Sequence, residues 1–325
     1  EVPNGGDYDG PVGVMGAIEV VRTLKEAGIQ TEHPLEVIIF TNEEGGVIGS
    51  RALVGGLSTQ ALQGQSNAGI THADGIRLLG GNPIRIASLA RPKGAIAAFL
   101  ELHIEQGGNL DTEKLDIGVV EGIVAIEWWE FTFKGKANHA GTTPMDRRRD
   151  AVNAVAELAL YMEKRASADG DSVATIGQLQ VPNGSINVVP GRCHFSMDMR
   201  APTDPQRDAL EKDILQALDE ICQRRGLVCQ REVTLRAPAA PSAPAWQKRW
   251  ENALNSLGIP LFIMPSGAGH DAMKLHEVMP QAMLFVRGEN SGISHNPLES
   301  TTSDDMQLCI DAFNHVLMQL AEEHS

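Results

Sequence analysis

Between residues 124 and 236 the sequence changes rhythm. Residues 128–134 alternate as a half-exposed strand, 146–165 carry a helical apolar stripe, and 173–181 and 192–200 read as strands; a helix at 204–225 and a strand at 227–235 close the unit. Strand, helix, two strands, helix, strand is the order of a ferredoxin-like α+β sandwich. Patterns of another kind flank it, so it reads as an insertion, with the run APAAPSAP at residues 237–244 as the return linker. The expected division is a first part of an α/β domain at 1–123, an inserted domain at 124–236 and a second part of the α/β domain at 237–325.

The flanks combine helical periods with short apolar runs. Residues 12–27 predict a helix stopped by Gly28, and the β-branched run 35–41 (LEVIIFT) predicts a buried strand. That strand would end at Asn42-Glu43-Glu44-Gly45-Gly46, on the sheet edge where open α/β sheets bind ligands. Residues 57–93 read as short helices and loops, and 95–106 as a strand presenting His103, Glu105 and Gln106 at its end. Further on, 246–257 and 303–322 are helical and 280–287 is strand-like.

Composition narrows the partners. A formal charge of −15 works against general binding to nucleic acid or an anionic membrane. No apolar run approaches the roughly 20 residues that span a bilayer, and no basic and apolar leader opens the chain, so a cytoplasmic protein is expected. Cys193, Cys222, Cys229 and Cys309 have no CxxC spacing and read as reduced thiols.

Asp9, the pair Glu43 and Glu44, His103 and His295 all fall at predicted strand ends or adjoining loops. Carboxylate and imidazole together suit zinc, manganese, cobalt or nickel, and a second cation calls for a bridging acid. Each also has a plainer explanation: an acid pair is commonly a solvated turn, a single histidine a structural hydrogen-bonder, and an aspartate among glycines a turn former. His33, His72, His194, His276, His315 and His324 have no accompanying motif and read as structural or exposed. His270 and Asp271 read as support for the site or as a helix start.

Five segments decide between these readings: Tyr8-Asp9-Gly10, Thr41-Asn42-Glu43-Glu44-Gly45, Leu100 to Gly107 (LELHIEQG), Ala137 to Met145 (ANHAGTTPM) and Ile293-Ser294-His295-Asn296-Pro297. In order and number they resemble the motifs of M20-type amidases of the hydantoinase/carbamoylase family. The resemblance implies a metallopeptidase-like three-layer α/β/α catalytic domain carrying the inserted lid and dimerisation domain. It implies two divalent metals per subunit, zinc or manganese with nickel or cobalt possible. Asp9 would bridge them, Glu44 and His295 would complete one site, His103 would serve the other, and Glu43 would be the general base. The family's remaining ligand, a His in an HxD motif about eleven residues before the bridging Asp, would lie upstream of Glu1, together with the first strands of the catalytic sheet.

For the substrate, the resemblance points to Gln106 for the carbamoyl amide, Asn187 and Arg200 for the carboxylate, and the backbone at Gly267 and Gly269. His139 would reach the partner subunit's site in a homodimer and polarise the scissile carbonyl. The implied reaction is hydrolysis of an N-carbamoyl-L-amino acid to amino acid, ammonia and carbon dioxide, with allantoate amidohydrolase and β-ureidopropionase as alternatives. An M20 peptidase is disfavoured because such relatives tend to carry an acid where His103 stands. A silent scaffold or ligand-binding homologue is the alternative outside enzymes.

Overall fold

The computed structural model describes residues 2, 4–66 and 69–322; His324 lies outside them. In chain order, α1 (Pro11–Glu26), α2 (Ile48–Leu53), α3 (Thr59–Leu62) and α4 (His72–Leu78) lead to β1 (Phe99–Ile104), α5 (Asn109–Glu113) and β2 (Ile117–Ile123). Then come β3 (Ala125–Lys134), β4 (Asn138–His139), α6 (Ala151–Asp169), β5 (Val173–Thr175), β6 (Leu179–Gln180), β7 (Val188–Val189), β8 (Arg192–Ala201), α7 (Asp204–Arg225) and β9 (Val228–Ala237). The chain closes with β10 (Ala240–Pro241), α8 (Pro244–Ser256), β11 (Ile263–Ser266), α9 (Asp271–Leu275), β12 (Gln281–Val286) and α10 (Ser303–Glu322). Glu1–Ile123 with Ala240–Ser325 form one compact unit and Val124–Ala239 a second.

The first unit is a mixed sheet in the order β1-β12-β2-β10, with β11 also paired to β2. Every residue of β12 is buried, as expected of a strand covered on both faces. Alternation along β1 sends Leu102 and Ile104 into the core with α1, α8 and α10, while Glu101 and His103 face the other side, where α9 packs. The chemistry thus lies on the face opposite the main apolar core. Helix α1 buries Val12, Gly16, Val20 and Leu24, a four-residue stripe. It lies so close to β1 that a Cβ on Gly13 would come within 2.4 Å of the Leu102 carbonyl oxygen. This approach brings Asp9, just before α1, to the C-terminal end of β1.

Two expectations need correction here. Residues 35–41 form no strand: they run without a ladder partner among the described residues, and Leu35, Val37 and Ile39 are exposed. A β-branched run becomes a strand only where another strand offers hydrogen bonds, and no strand among the described residues reaches it. The run 237–244 is more than a linker, since Ala240 and Pro241 pair with Gly122 and Ile123 as β10 and Pro244 opens α8.

The second unit has the sheet order β5-β8-β3-β9, all antiparallel, with β6 also on β8. With its four main strands numbered in sequence, this is the ferredoxin-like arrangement in which the two central strands are the first and third. Helices α6 and α7 bury Leu158, Met162, Leu210, Ile214 and Leu218 against Phe131, Phe133, Phe195 and Met197. The first helix begins later than the expected residue 146: Asp150 accepts hydrogen bonds from the N–H groups of Val152 and Asn153, so α6 starts at Ala151 after a separate 3-10 turn at Met145–Arg147. The expected strand at 173–181 is divided into β5 and β6.

Candidate active site

Asp9 is the junction of the first unit's polar side chains. Its Oδ1 lies 3.2 Å from His103 Nε2, and its Oδ2 lies 3.2 Å from His295 Nε2. His295 Nε2 is in turn 3.4 Å from Glu44 Oε1. One carboxylate therefore offers a different oxygen to each of two imidazoles, the arrangement a bridging ligand requires. Gln106 Nε2 donates to Asp9 Oδ2 at 2.6 Å and sits 3.3 Å from His295 Nε2. Gln106 and His295 both have positive φ, 57° and 55°, an uncommon conformation for residues other than glycine and one that often marks functional loops.

Backbone groups orient the histidines. His103 Nδ1 is 2.9 Å from the Ile104 carbonyl, which can only accept, so Nδ1 carries the hydrogen and Nε2 is turned toward Asp9. Burial alone would lower this imidazole, but its hydrogen bond to Asp9, with the charges of Glu101 and Asp9, lifts it to about 9. Asp9 is also desolvated, yet His103, Ser294 and His295 hold it down at about 2.

Two donor groups are each compact enough for one cation, with ligand atoms within 4.8 Å of one another: Asp9, Glu44 and His295, and Glu101, His103 and His270. Glu101 and His270 were not singled out as ligands from the sequence. The signal for Glu101 was its two-residue spacing from His103 on a strand, which places both on one face. His270 packs edge-on against His103 with ring centroids 4.4 Å apart. Ser266 Oγ donates to the Ala268 carbonyl, so it accepts at 2.8 Å from His270 Nε2 and leaves Nδ1 as the lone pair. Burial, reinforced by His103, keeps His270 well below the usual histidine range.

Acids crowd the same region. Burial, then the charges of Asp271 and Glu44, push Glu43 up to about 8. Burial raises Glu101 to about 7 and Asp271 to about 6. Asp271 Oδ1 is buried with no hydrogen-bond partner among the described residues. Carboxylates gathered out of water, one with an orphaned oxygen, beside two imidazole-containing donor groups, fit divalent cations well. Gly267 and Gly269 lie in the turn between β11 and α9, and a Cβ on Gly267 would meet open space.

The remaining expected residues lie in the second unit. His139 is on β4, opposite Val188 of β7, and its Nδ1 accepts from the N–H groups of Gly141 at 3.1 Å and Thr142 at 3.3 Å. The ring hydrogen is therefore on Nε2, which makes that atom a donor. Asn187 directly precedes β7, and its backbone carbonyl accepts from Ala140 N–H at 2.8 Å, so the structure brings His139 and Asn187 onto one ribbon. Arg200, on β8, meets Asp198 of its own strand, with Nε 3.1 Å from Oδ1 and Nη2 2.7 Å from Oδ2. Among the unassigned histidines, His72 bonds the Ala61 carbonyl and His194 bonds Thr132.

The model of peptidase family M20/M25/M40 matches residues 4–319. An N-carbamoyl-L-amino acid amidohydrolase of Geobacillus stearothermophilus is 39% identical over 99% of this chain and 80% of its own length. A ureidoglycolate hydrolase of Arabidopsis thaliana is 34% identical over 98% of this chain and 70% of its own. The crystal structure of a hydantoinase/carbamoylase family amidase from Burkholderia multivorans superposes with a TM-score of 0.88 at 34% identity, covering 98% of this chain and 78% of that one. With the motifs of the sequence spread across that match, the chain belongs to peptidase family M20/M25/M40 and is a hydrolase of linear amide C–N bonds, of the hydantoinase/carbamoylase amidase type.

Proposed function

We propose that the protein hydrolyses the carbamoyl C–N bond of N-carbamoyl-L-amino acids, releasing amino acid, ammonia and carbon dioxide, as a cytoplasmic homodimer. The observation that carries the reading is Asp9 facing His103 with one oxygen and His295 with the other, with Glu43 in the same cluster of charges. The name of the Geobacillus relative supports the substrate class. That of the Arabidopsis relative supports a second reading, a ureidoglycolate-type substrate, and allantoate and β-ureidopropionate share the same ureido acid chemistry.

Asp9, Glu44 and His295 would hold one divalent cation, and His103, with Asp9 shared, would serve a second; zinc, manganese, nickel and cobalt all suit oxygen and imidazole donors. When bound, the cations supply Lewis acidity and lower the pKa of a coordinated water. Glu43 takes a proton from the attacking water and returns it to the leaving nitrogen, for which it must be ionised, a state that nearby positive charge favours. His139 Nε2–H donates to the carbonyl oxygen as charge gathers there, from the inserted domain of a second copy acting as lid and dimerisation unit. Gln106 holds the carbamoyl group. Arg200 and Asn187 grip the carboxylate, with Asp198 holding the Arg200 guanidinium in plane until the substrate shares it.

The test is ammonia release from N-carbamoyl amino acids, allantoate, ureidoglycolate, β-ureidopropionate and dipeptides, with metal content measured on the same sample. Faster turnover of N-carbamoyl-L-amino acids than of every other compound is expected. Dipeptide hydrolysis would restore the peptidase reading. Metal binding without any turnover would indicate a ligand-binding homologue.

A further inference from the structure

We propose that Glu299 is a positioning residue that locks the loop carrying Asp9 onto the loop carrying Ser294 and His295 and so sets the geometry of the cation site, an inference that rests on the metal-dependent reading above. Glu299 is 6% exposed. Its Oε1 accepts from the backbone N–H groups of both Tyr8 and Asp9 at 2.8 Å, across about 290 residues of chain. Its Oε2 lies 2.7 Å from Ser294 Oγ, which is itself 3.0 Å from Asp9 Oδ2. One buried carboxylate thus holds the main chain at Asp9 with one oxygen and the neighbour of His295 with the other, while the Ser294 hydroxyl sits between the two acids.

The fit leaves no slack. A Cβ on Gly6 would come within 2.3 Å of Glu299 Cβ and 2.5 Å of its Oε1, so the loop closes over this carboxylate only because residue 6 is glycine. The Tyr8 and Asp9 amides precede α1, so they are not among that helix's own bonds. Without Glu299 they would need water, and the Asp9 carboxylate would be free to turn away from His103 or His295. Ligand donors misplaced by even about 1 Å lose affinity steeply, since coordination distances are narrow. Glutamine at 299 keeps an oxygen for the two amides and offers its NH2 to Ser294 Oγ, whereas alanine keeps neither contact.

Two measurements on the full chain test this. In chelator, hydrogen exchange of a peptide spanning residues 4–12 should quicken at the Tyr8 and Asp9 amides in Glu299→Ala and stay near the parent rate in Glu299→Gln. In a Co2+ titration followed by visible absorption, Glu299→Ala should bind at least about tenfold more weakly with an altered band, and Glu299→Gln within about threefold of the parent. Unchanged exchange in Glu299→Ala, parent-like Co2+ affinity in Glu299→Ala, or equal damage in both variants would overturn the proposal. If the parent itself binds no Co2+, the metal-dependent reading fails, and the exchange data alone decide whether Glu299 clamps the two loops. Should Glu299→Ala not fold, Glu299→Asp, one methylene short, makes the same comparisons.

Discussion

Glu43 and Glu44 are adjacent in sequence and differ in environment. Glu44 is exposed and near His295, whereas Glu43 is half-buried and raised to about 8 by burial and neighbouring acids. Glu43→Gln should therefore lower kcat by at least about a thousandfold, as loss of a general base does, while metal content stays that of the parent. The same acids predict an unusual pH profile for the metal-free chain. Glu43, Glu101 and Asp271 stand at about 8, 7 and 6, each above its ordinary value, so the folded state holds protons that the unfolded chain has released. Stability from those protons is present at low pH and is lost as pH rises from about 5 through about 8. His103, raised to about 9, acts in the same direction, whereas Asp9, held at about 2, loses its contribution only in strong acid. Thermal midpoints in chelator should fall steadily between pH 5 and 9, and Glu43→Gln should flatten the fall; a midpoint that climbs over that range would contradict the assignment. The sequence showed which acids and imidazoles could act. It could not show that Ser266 and the Ile104 carbonyl set the histidine tautomers, since those contacts form only once the turns close.

At the scale of elements, two close approaches carry the site. Helix α1 rides on β1 through Gly13 and Gly16, which places the Asp9 loop at the end of the strand bearing His103. Gly13→Ala drives a methyl into the Leu102 carbonyl, so the helix must move. A loss of roughly 1–3 kcal/mol in urea unfolding is expected, with Co2+ affinity weakened because Asp9 and His103 sit on the two displaced elements. The sequence periods of α1, α7, α10, β8 and β12 agree with their observed bounds to within one or two residues, because each has a strong period and clear ends. Residues 35–41 depart from this agreement: composition favours a strand there, but no described ladder receives it. A start of α6 at residue 146 is too early, because the charged run that begins at Asp146 leads up to the Asp150 cap and is partly taken up by a 3-10 turn.

Each of the two units closes around its own apolar core, and the paired donor groups lie wholly within the first. Cations should therefore stabilise one unit and leave the other as it was. In calorimetry, metal at about a hundred times its dissociation constant should raise the first unit's transition by roughly 5–10 °C, and a parallel shift of both units' transitions would contradict the separation. Periodicity, a local property, made the fold class legible in the sequence and predicted an insertion, and the resemblance of five motifs to the M20 amidases pointed to Asp9, Glu44, His103 and His295 as candidate donors. Which oxygen of Asp9 meets which histidine, that Glu101 and His270 join His103, and that Glu299 ties residues 8 and 9 to Ser294 emerge in three dimensions alone. Those relations depend on angstrom-scale distances between segments hundreds of residues apart, which packing sets and linear order does not encode.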